Sequence, residues 1–320
     1  VVLCAGMRTD GDTWDITTGV GATALFVAAA RTLEARKLEP LAVDEYAELF
    51  CRAAGGEWAQ LADGAAPLHK LRSNDFGRHF VNYQGVRTRY FDDFCVAAIA
   101  AGVHQVVIPA AGLDSRAYRL AWNPDTVVFE LDQPLVHAFK RRVLTSTGSV
   151  ARAIRREVAV DLRNDWAKPL HVNGFDAAQP TAWLVEGLSM YLGGDAQRQL
   201  FDAIAALSAP GSMLAIEQMA VLPDVVLDRL FDDATERDDD GELRFLSLIY
   251  TQRRDEAATW FRCHGWHVER TELLDLLNVH DRPTPKIGRH AWFTFNALSL
   301  VTAVRADSSL RTVPQMESLH

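Results

Sequence analysis

Residues 106–120 read VVIPAAGLDSRAYRL. An apolar run ends in a turn of small residues, and an acid and a base follow at once. The first strand and glycine turn of a nucleotide-binding α/β domain have this appearance. The turn holds a single glycine, Gly112, where a dinucleotide loop has three, and no phosphate-binding lysine follows. Its ligand must therefore be read from the neighbouring strand ends.

From Val106 onward, short β-rich runs alternate with longer helical ones. Strands are expected at 105–111, 126–132, 157–162, 181–187 and 212–218, with helices at 133–145 and 195–209. Several runs are almost continuously apolar, as suits parallel strands covered on both faces. The alternation predicts right-handed βαβ units and a doubly wound, mostly parallel α/β sheet. A helix at 255–264, a strand at 266–271 and a long aromatic-rich strand at 290–306 close the chain.

Before Val106 the apolar spacing predicts helices over 14–37, 44–54 and 85–101, with a Gly- and Pro-containing loop at 55–67. The expected organisation is an N-terminal helical extension, residues 1–104, packed on an α/β core, residues 105–320. A lid-like insertion is expected at about 219–255, where Asp238–Asp240 and Gly241 read as an exposed acidic loop.

The formal net charge of -9 argues against nucleic acid or an anionic membrane as the main partner. The longest apolar runs, such as 22–30, fall well short of the ~20 residues that span a bilayer. Cys4, Cys51, Cys95 and Cys263 have no metal-type spacing, so no metal site is expected. Free thiols suit a reducing, cytoplasmic compartment. The leading VVLCAG before Met7 is too short and uncharged for a signal peptide and is set aside as a remnant or the product of an upstream start.

In open α/β sheets ligands bind outside the carboxyl ends of the strands. The first run ends in Ala110, Ala111 and Gly112, whose small side chains permit close approach and, at Gly112, a positive φ. The second ends in Glu130 and Asp132, and Asp132, further along, is the better partner for ribose hydroxyls. At the third, Asp161 and Leu162 could take an adenine, the acid on its amine and the leucine on its ring. At the fourth, Glu186 could pair with an ammonium group. Acids gathered round one glycine turn would repel a polyphosphate, but they suit a nucleoside carrying an amine and a sulfonium. S-adenosyl-L-methionine answers that description.

The segments RTDGDTWD, GVRTRYFDDF, AAGLDSRAYRL, VFELDQP, VDLRNDW and WLVEGLSMYL spread this pattern from Arg8 to Leu192. In them the chain resembles the leucine carboxyl methyltransferase-like family, particularly its actinobacterial S-adenosyl-L-methionine-dependent branch. The resemblance implies a class I, Rossmann-like methyltransferase sheet with a C-terminal antiparallel strand, extra N-terminal helices and an insertion after the fifth strand. It implies cofactor contacts at Arg89, Gly112, Asp132, Asp161, Leu162 and Glu186, beside Ala111. Arg89 would pair with the cofactor carboxylate, and Arg87 is a rival for that role.

Tyr191 could line the acceptor side, whereas His69, His79 and His290 are not placed by sequence, and no residue is singled out as catalytic. The first helix lacks an obvious lysine that the phosphatase-methylating relatives carry, which argues against a phosphatase tail as acceptor. The function expected is O-methylation of a carboxylate or hydroxyl on a small or lipophilic molecule. A non-catalytic S-adenosylmethionine-binding regulator and an NAD-type dehydrogenase are the alternatives, the latter weakened by the missing glycine triplet. Oligomeric state is not readable from the sequence.

Overall fold

The computed structural model describes residues 21–236, 248–249 and 254–306. The RTDGDTWD segment, the start of the first expected helix, Cys4 and the Asp238–Gly241 loop lie outside them.

The N-terminal part is helical: α1 (Gly21–Ala35), α2 (Glu45–Ala54), α3 (Gly56–Ala62), α4 (Lys70–Ser73) and the long α5 (Asp75–Ala100). Asp44 starts α2 by accepting from the N–H groups of Tyr46 and Ala47 at 3.1 and 3.2 Å. Asn74 does the same for α5 through Gly77 N–H at 2.6 Å. That cap begins α5 ten residues before the expected start at 85, in a stretch whose two glycines, Gly77 and Gly85, weaken the helical pattern. The expected 55–67 loop likewise contains α3, which buries Leu61 and Ala62.

The α/β part follows with β1 (Gln105–Pro109), α6 (Arg116–Arg119), β2 (Val127–Asp132), α7 (Pro134–Ser146), β3 (Ile154–Ala159), α8 (Ala167–Val172) and β4 (Thr181–Val185). Then come α9 (Gly194–Ala206), β5 (Met213–Met219), α10 (Asp224–Glu236), α11 (Ala257–Cys263) and β6 (Trp266–Glu272). The described chain closes with α12 (Leu273–Val279), α13 (His290–Asn296) and β7 (Leu298–Arg305).

The strands form one seven-stranded sheet in the order β3-β2-β1-β4-β5-β7-β6. The first five run parallel, and β7 lies antiparallel between β5 and β6. Every residue of β1 and β4 is buried, because helices cover both faces of the centre. Alternate residues divide between two cores. Val106, Ile108, Ala182, Leu184 and Ala215 face Phe80, Phe91 and Phe94 of α5. Val107, Trp183, Val185, Leu214 and Ile216 face Phe201 and Ile204 of α9 and Phe261 of α11. Each such large side chain contributes roughly 1.5–3 kcal/mol by burial.

Two strands differ from expectation by more than two residues at an end. The third strand is 154–159, not 157–162. It is an edge strand paired to β2 from Ile154↔Val127 to Asp132↔Ala159, so its ladder ends where β2 ends. Alternating exposure and the charged IRRE run hid its start, while the apolar VAV drew attention too far along. The expected tail strand 290–306 splits into α13 and β7. Ala291, Thr294 and Phe295 are buried at helical spacing, a stripe obscured by the surrounding aromatic residues.

Candidate functional site

Strand order reverses between β1 and β4: the chain leaves β1 toward β2 and leaves β4 toward β5. A crevice therefore opens at the carboxyl ends of these central strands. In the turn after β1, Ala110 and Gly112 have left-handed φ values of 55° and 50°. Gly112 adopts this without steric cost, whereas Ala110 is a sparsely populated exception of the kind found at ligand sites. Gly112 N–H donates to Asp132 Oδ2 at 2.6 Å, and Gln133 N–H donates to Asp132 Oδ1 at 2.7 Å. Burial raises the Asp132 carboxyl above the ordinary carboxylate range, against the opposing pull of those two donors.

Asp161 and Leu162 lie just past β3, in the turn that follows it. Arg163 Nε donates to both Asp161 oxygens at 2.9 and 3.0 Å. That contact, chief among the causes, holds the Asp161 carboxyl at about 2. Gln133 also lowers the Asp161 carboxyl while its backbone N–H holds Asp132, so one residue links the second and third strand ends. Leu162 is half-buried against the α9-side core.

Around β4 the site is a buried network of ions. Glu186 Oε1 is 3.1 Å from Arg87 Nε, and Glu186 Oε2 is 2.8 Å from Arg116 Nη1. Arg87 Nη1 donates to Glu217 Oε2 at 2.9 Å and to the Tyr83 hydroxyl at 3.2 Å. Glu217, on β5 and fully buried, also accepts from the Tyr83 hydroxyl and from Gly187 N–H, the latter at 2.8 Å. Arg116 pairs in addition with Asp114 and with Asp92, at 2.8 Å for Asp92 Oδ1.

Each ion taken from water costs several kcal/mol, so the network is tolerable only because its members are paired. Burial works to lower the Arg87 guanidinium, but Glu217, Tyr83 and Glu186 outweigh it and raise it. Burial pushes the Tyr83 phenol well above its ordinary value, so it stays a protonated donor.

Ala111, Gly112, Asp132, Asp161, Leu162 and Glu186 are thus brought to the carboxyl edge of the sheet. Arg89 is not: it is exposed, with its Nε 2.7 Å from Asp93 Oδ2 one turn along α5. Two residues make more than half a helical turn, so Arg87 shares the buried face with Tyr83 and Phe91 while Arg89 points to solvent. Tyr191 ends a short 3₁₀ turn, Ser189–Tyr191, directly after the β4 loop and is buried. Glu217, Tyr83 and Arg116 were not foreseen. For Glu217 the signal was present, since a glutamate inside the apolar run SMLAIEQ must either be paired or break the strand.

The strand order with an antiparallel seventh strand, and the crevice at its switch point, define the class I methyltransferase architecture. Residues 24–205 match the leucine carboxyl methyltransferase family. The chain is 60% identical over 299 residues to a candidate S-adenosyl-L-methionine-dependent methyltransferase of Mycobacteroides abscessus, covering 93% of this chain and 100% of that one. A like-named protein of Mycobacterium tuberculosis is 53% identical over 301 residues, with the same coverage. Among solved structures, a candidate methyltransferase from Thermobifida fusca superposes with a TM-score of 0.47 at 16% identity, over 81% of this chain and 94% of that one.

The chain belongs to the leucine carboxyl methyltransferase family. It is an S-adenosyl-L-methionine-dependent methyltransferase.

Proposed function

We propose that the protein methylates an oxygen, either a carboxylate or a hydroxyl, of a small or lipophilic acceptor in the cytoplasm. The observation that carries the cofactor assignment to residues is the buried Arg87–Glu186 pair at the switch point. Arg87 Nε and Glu186 Oε2 are buried and lie in ion-pair contact with Glu186 Oε1 and Arg116 Nη1, yet neither makes a hydrogen bond of good geometry among the described residues. An amino acid's carboxylate and ammonium would complement them. In this reading Arg87 holds the cofactor carboxylate, Glu186 its ammonium, Asp132 the ribose hydroxyls, and Asp161 with Leu162 the adenine. Ala111 and Gly112 allow close approach to the backbone.

S-adenosyl-L-methionine, when bound, supplies an electrophilic methyl carbon on a sulfonium. The protein's own contribution is to hold donor and acceptor in line in the crevice at the switch point. A carboxylate acceptor is ionised near neutral pH and needs no base, whereas a hydroxyl must lose its proton as the new bond forms. Tyr83 is not such a base, since burial keeps its phenol protonated and its hydroxyl donates a hydrogen bond to Glu217. In this reading Tyr191, in the 3₁₀ turn just past β4, lines the acceptor side. We divide the chain at residue 104 into a helical extension and a cofactor-binding core, with the insertion at about 219–255.

The net charge of -9 and the absence, among the described residues, of a helix able to cross a membrane support a small-molecule acceptor over nucleic acid or lipid bilayer. Incubation with methyl-labelled cofactor and a metabolite extract tests the reading. Label entering base-labile esters or ethers of small molecules is expected. A protein that binds S-adenosyl-L-homocysteine yet transfers no label would be a regulator instead. Heat from NAD in calorimetry, with none from S-adenosyl-L-homocysteine, would overturn the assignment.

A further inference from the structure

We infer that Glu217 is a positioning residue that keeps Arg87 and Glu186 separately available to the two charges of the cofactor's amino-acid end. The inference rests on the reading of those two residues given above. Glu217 contacts no part of that ligand itself; it acts through its neighbours.

Glu217 sits on β5, next to β4 in the sheet, and is inaccessible to solvent. Its carboxylate takes three donors from two segments: the Tyr83 hydroxyl and Arg87 Nη1 from α5, and Gly187 N–H from the turn after β4. Its backbone carbonyl accepts from Ser189 Oγ at 2.6 Å, so side chain and main chain both hold the segment that follows Glu186. Gly187 turns there with a φ of 62°, and a Cβ at this position would stand 3.3 Å from Arg87 Nη1. The turn, the guanidinium and the carboxylate are one packed unit.

Among the described residues, both hydrogen bonds of the Arg87 guanidinium leave through Nη1, toward Glu217 and Tyr83. Glu217 therefore anchors one corner of a rigid planar fork and sets where its other nitrogens point. Without that anchor, the next carboxylate within reach is Glu186, already 3.1 Å from Arg87 Nε. The fork would rotate further onto Glu186, closing on Oε1 and competing with Arg116 for Oε2. Each group would then satisfy the other, and neither would serve the ligand. The Gly187 N–H would also lose its acceptor, loosening the turn that carries Glu186.

The test compares two probes in calorimetry: S-adenosyl-L-homocysteine, and 5′-methylthioadenosine, which has the same nucleoside and sulfur but no amino-acid end. Wild type, Glu217→Gln and the milder Tyr83→Phe are measured with both. Glu217→Gln keeps the shape and removes the charge; Tyr83→Phe removes one donor and keeps the ring. For Glu217→Gln, affinity for S-adenosyl-L-homocysteine is expected to fall about tenfold or more, the scale of a lost hydrogen bond to a charged group. Tyr83→Phe should show a smaller loss in the same ligand alone. Affinity for 5′-methylthioadenosine should change by no more than about twofold in either variant, since a merely destabilised protein would lose both ligands together.

Equal weakening of both probes, or unchanged S-adenosyl-L-homocysteine affinity in both variants, overturns the role of Glu217. A wild type that binds the two probes equally well would instead remove the amino-acid-end reading of Arg87 and Glu186, and with it the ground for this inference. If Glu217→Gln does not fold, Tyr83→Phe decides by the same comparison.

Discussion

The backbone N–H of Gly112 donates to Asp132 Oδ2 at 2.6 Å, so the turn after β1 and the tip of β2 are fastened to one another. With Gln133 N–H on the second oxygen, the carboxylate is aimed before any ligand arrives. Asp132→Ala should weaken S-adenosyl-L-homocysteine binding by at least ~1.5 kcal/mol, through lost hydrogen bonds to the charged group and a loosened turn. Calorimetry checks this, and unchanged affinity would move the ribose contact to another residue.

Arg87 and Arg89 stand two residues apart on α5 with opposite surroundings: buried among Glu186, Glu217 and Tyr83 in one case, exposed beside Asp93 in the other. Arg89→Met should leave cofactor affinity and thermal stability almost unchanged, because an exposed i,i+4 pair is worth only about 0.3–0.5 kcal/mol. Arg87→Lys keeps the charge but loses the planar fork, and should cost about tenfold or more in S-adenosyl-L-homocysteine affinity. A larger loss from the Arg89 change than from the Arg87 change would reverse the assignment made from their placement.

The fold was legible wherever burial was symmetric. Continuous apolar runs marked β1, β4 and β5 because both faces are covered, and the helical gaps between them implied parallel crossovers. Legibility failed at edges. The β3 edge carries Arg155 and Arg156, which an apolar-run reading discards, and α13 carries so many aromatic residues that its helical stripe resembled a strand. The strand-end acids were readable because each stands where an apolar run stops. The cations that balance them were not. Arg87 and Arg89 are indistinguishable in sequence until the phase of α5 is known, and the Glu217–Arg87 and Arg116–Glu186 contacts join segments far apart in the chain. Sequence spacing carries no trace of such pairs.

Thiol reactivity offers a check on packing. Burial pushes the Cys51 thiol up to about 11, with the Thr32 hydroxyl a weaker opposing influence, and burial raises Cys95 as well. Cys263 is exposed. Iodoacetamide at pH 8 should therefore modify Cys263 in the native protein and spare Cys51 and Cys95 until denaturant is added. Peptide mass mapping reads this directly. Native-state labelling of Cys51 at the Cys263 rate would mean that the contact between α1 and α2 opens readily.

Acid stability follows from Asp114. Burial alone would raise its carboxyl, but Arg116, with Lys140, the Arg116 N–H and Arg119 in support, brings it down to about 2. A carboxyl depressed in the folded state contributes stability that is present above its unfolded value, near 3.9, and is lost as pH falls toward the folded one. Between pH 5 and about 2 the wild type should accordingly lose on the order of 2 kcal/mol from this group alone. Urea unfolding at successive pH values measures it. Asp114→Asn should be less stable at neutral pH, because it leaves Arg116 short of a partner, and its stability should fall less steeply across that window. Parallel pH profiles for the two proteins would show that another carboxylate governs acid unfolding.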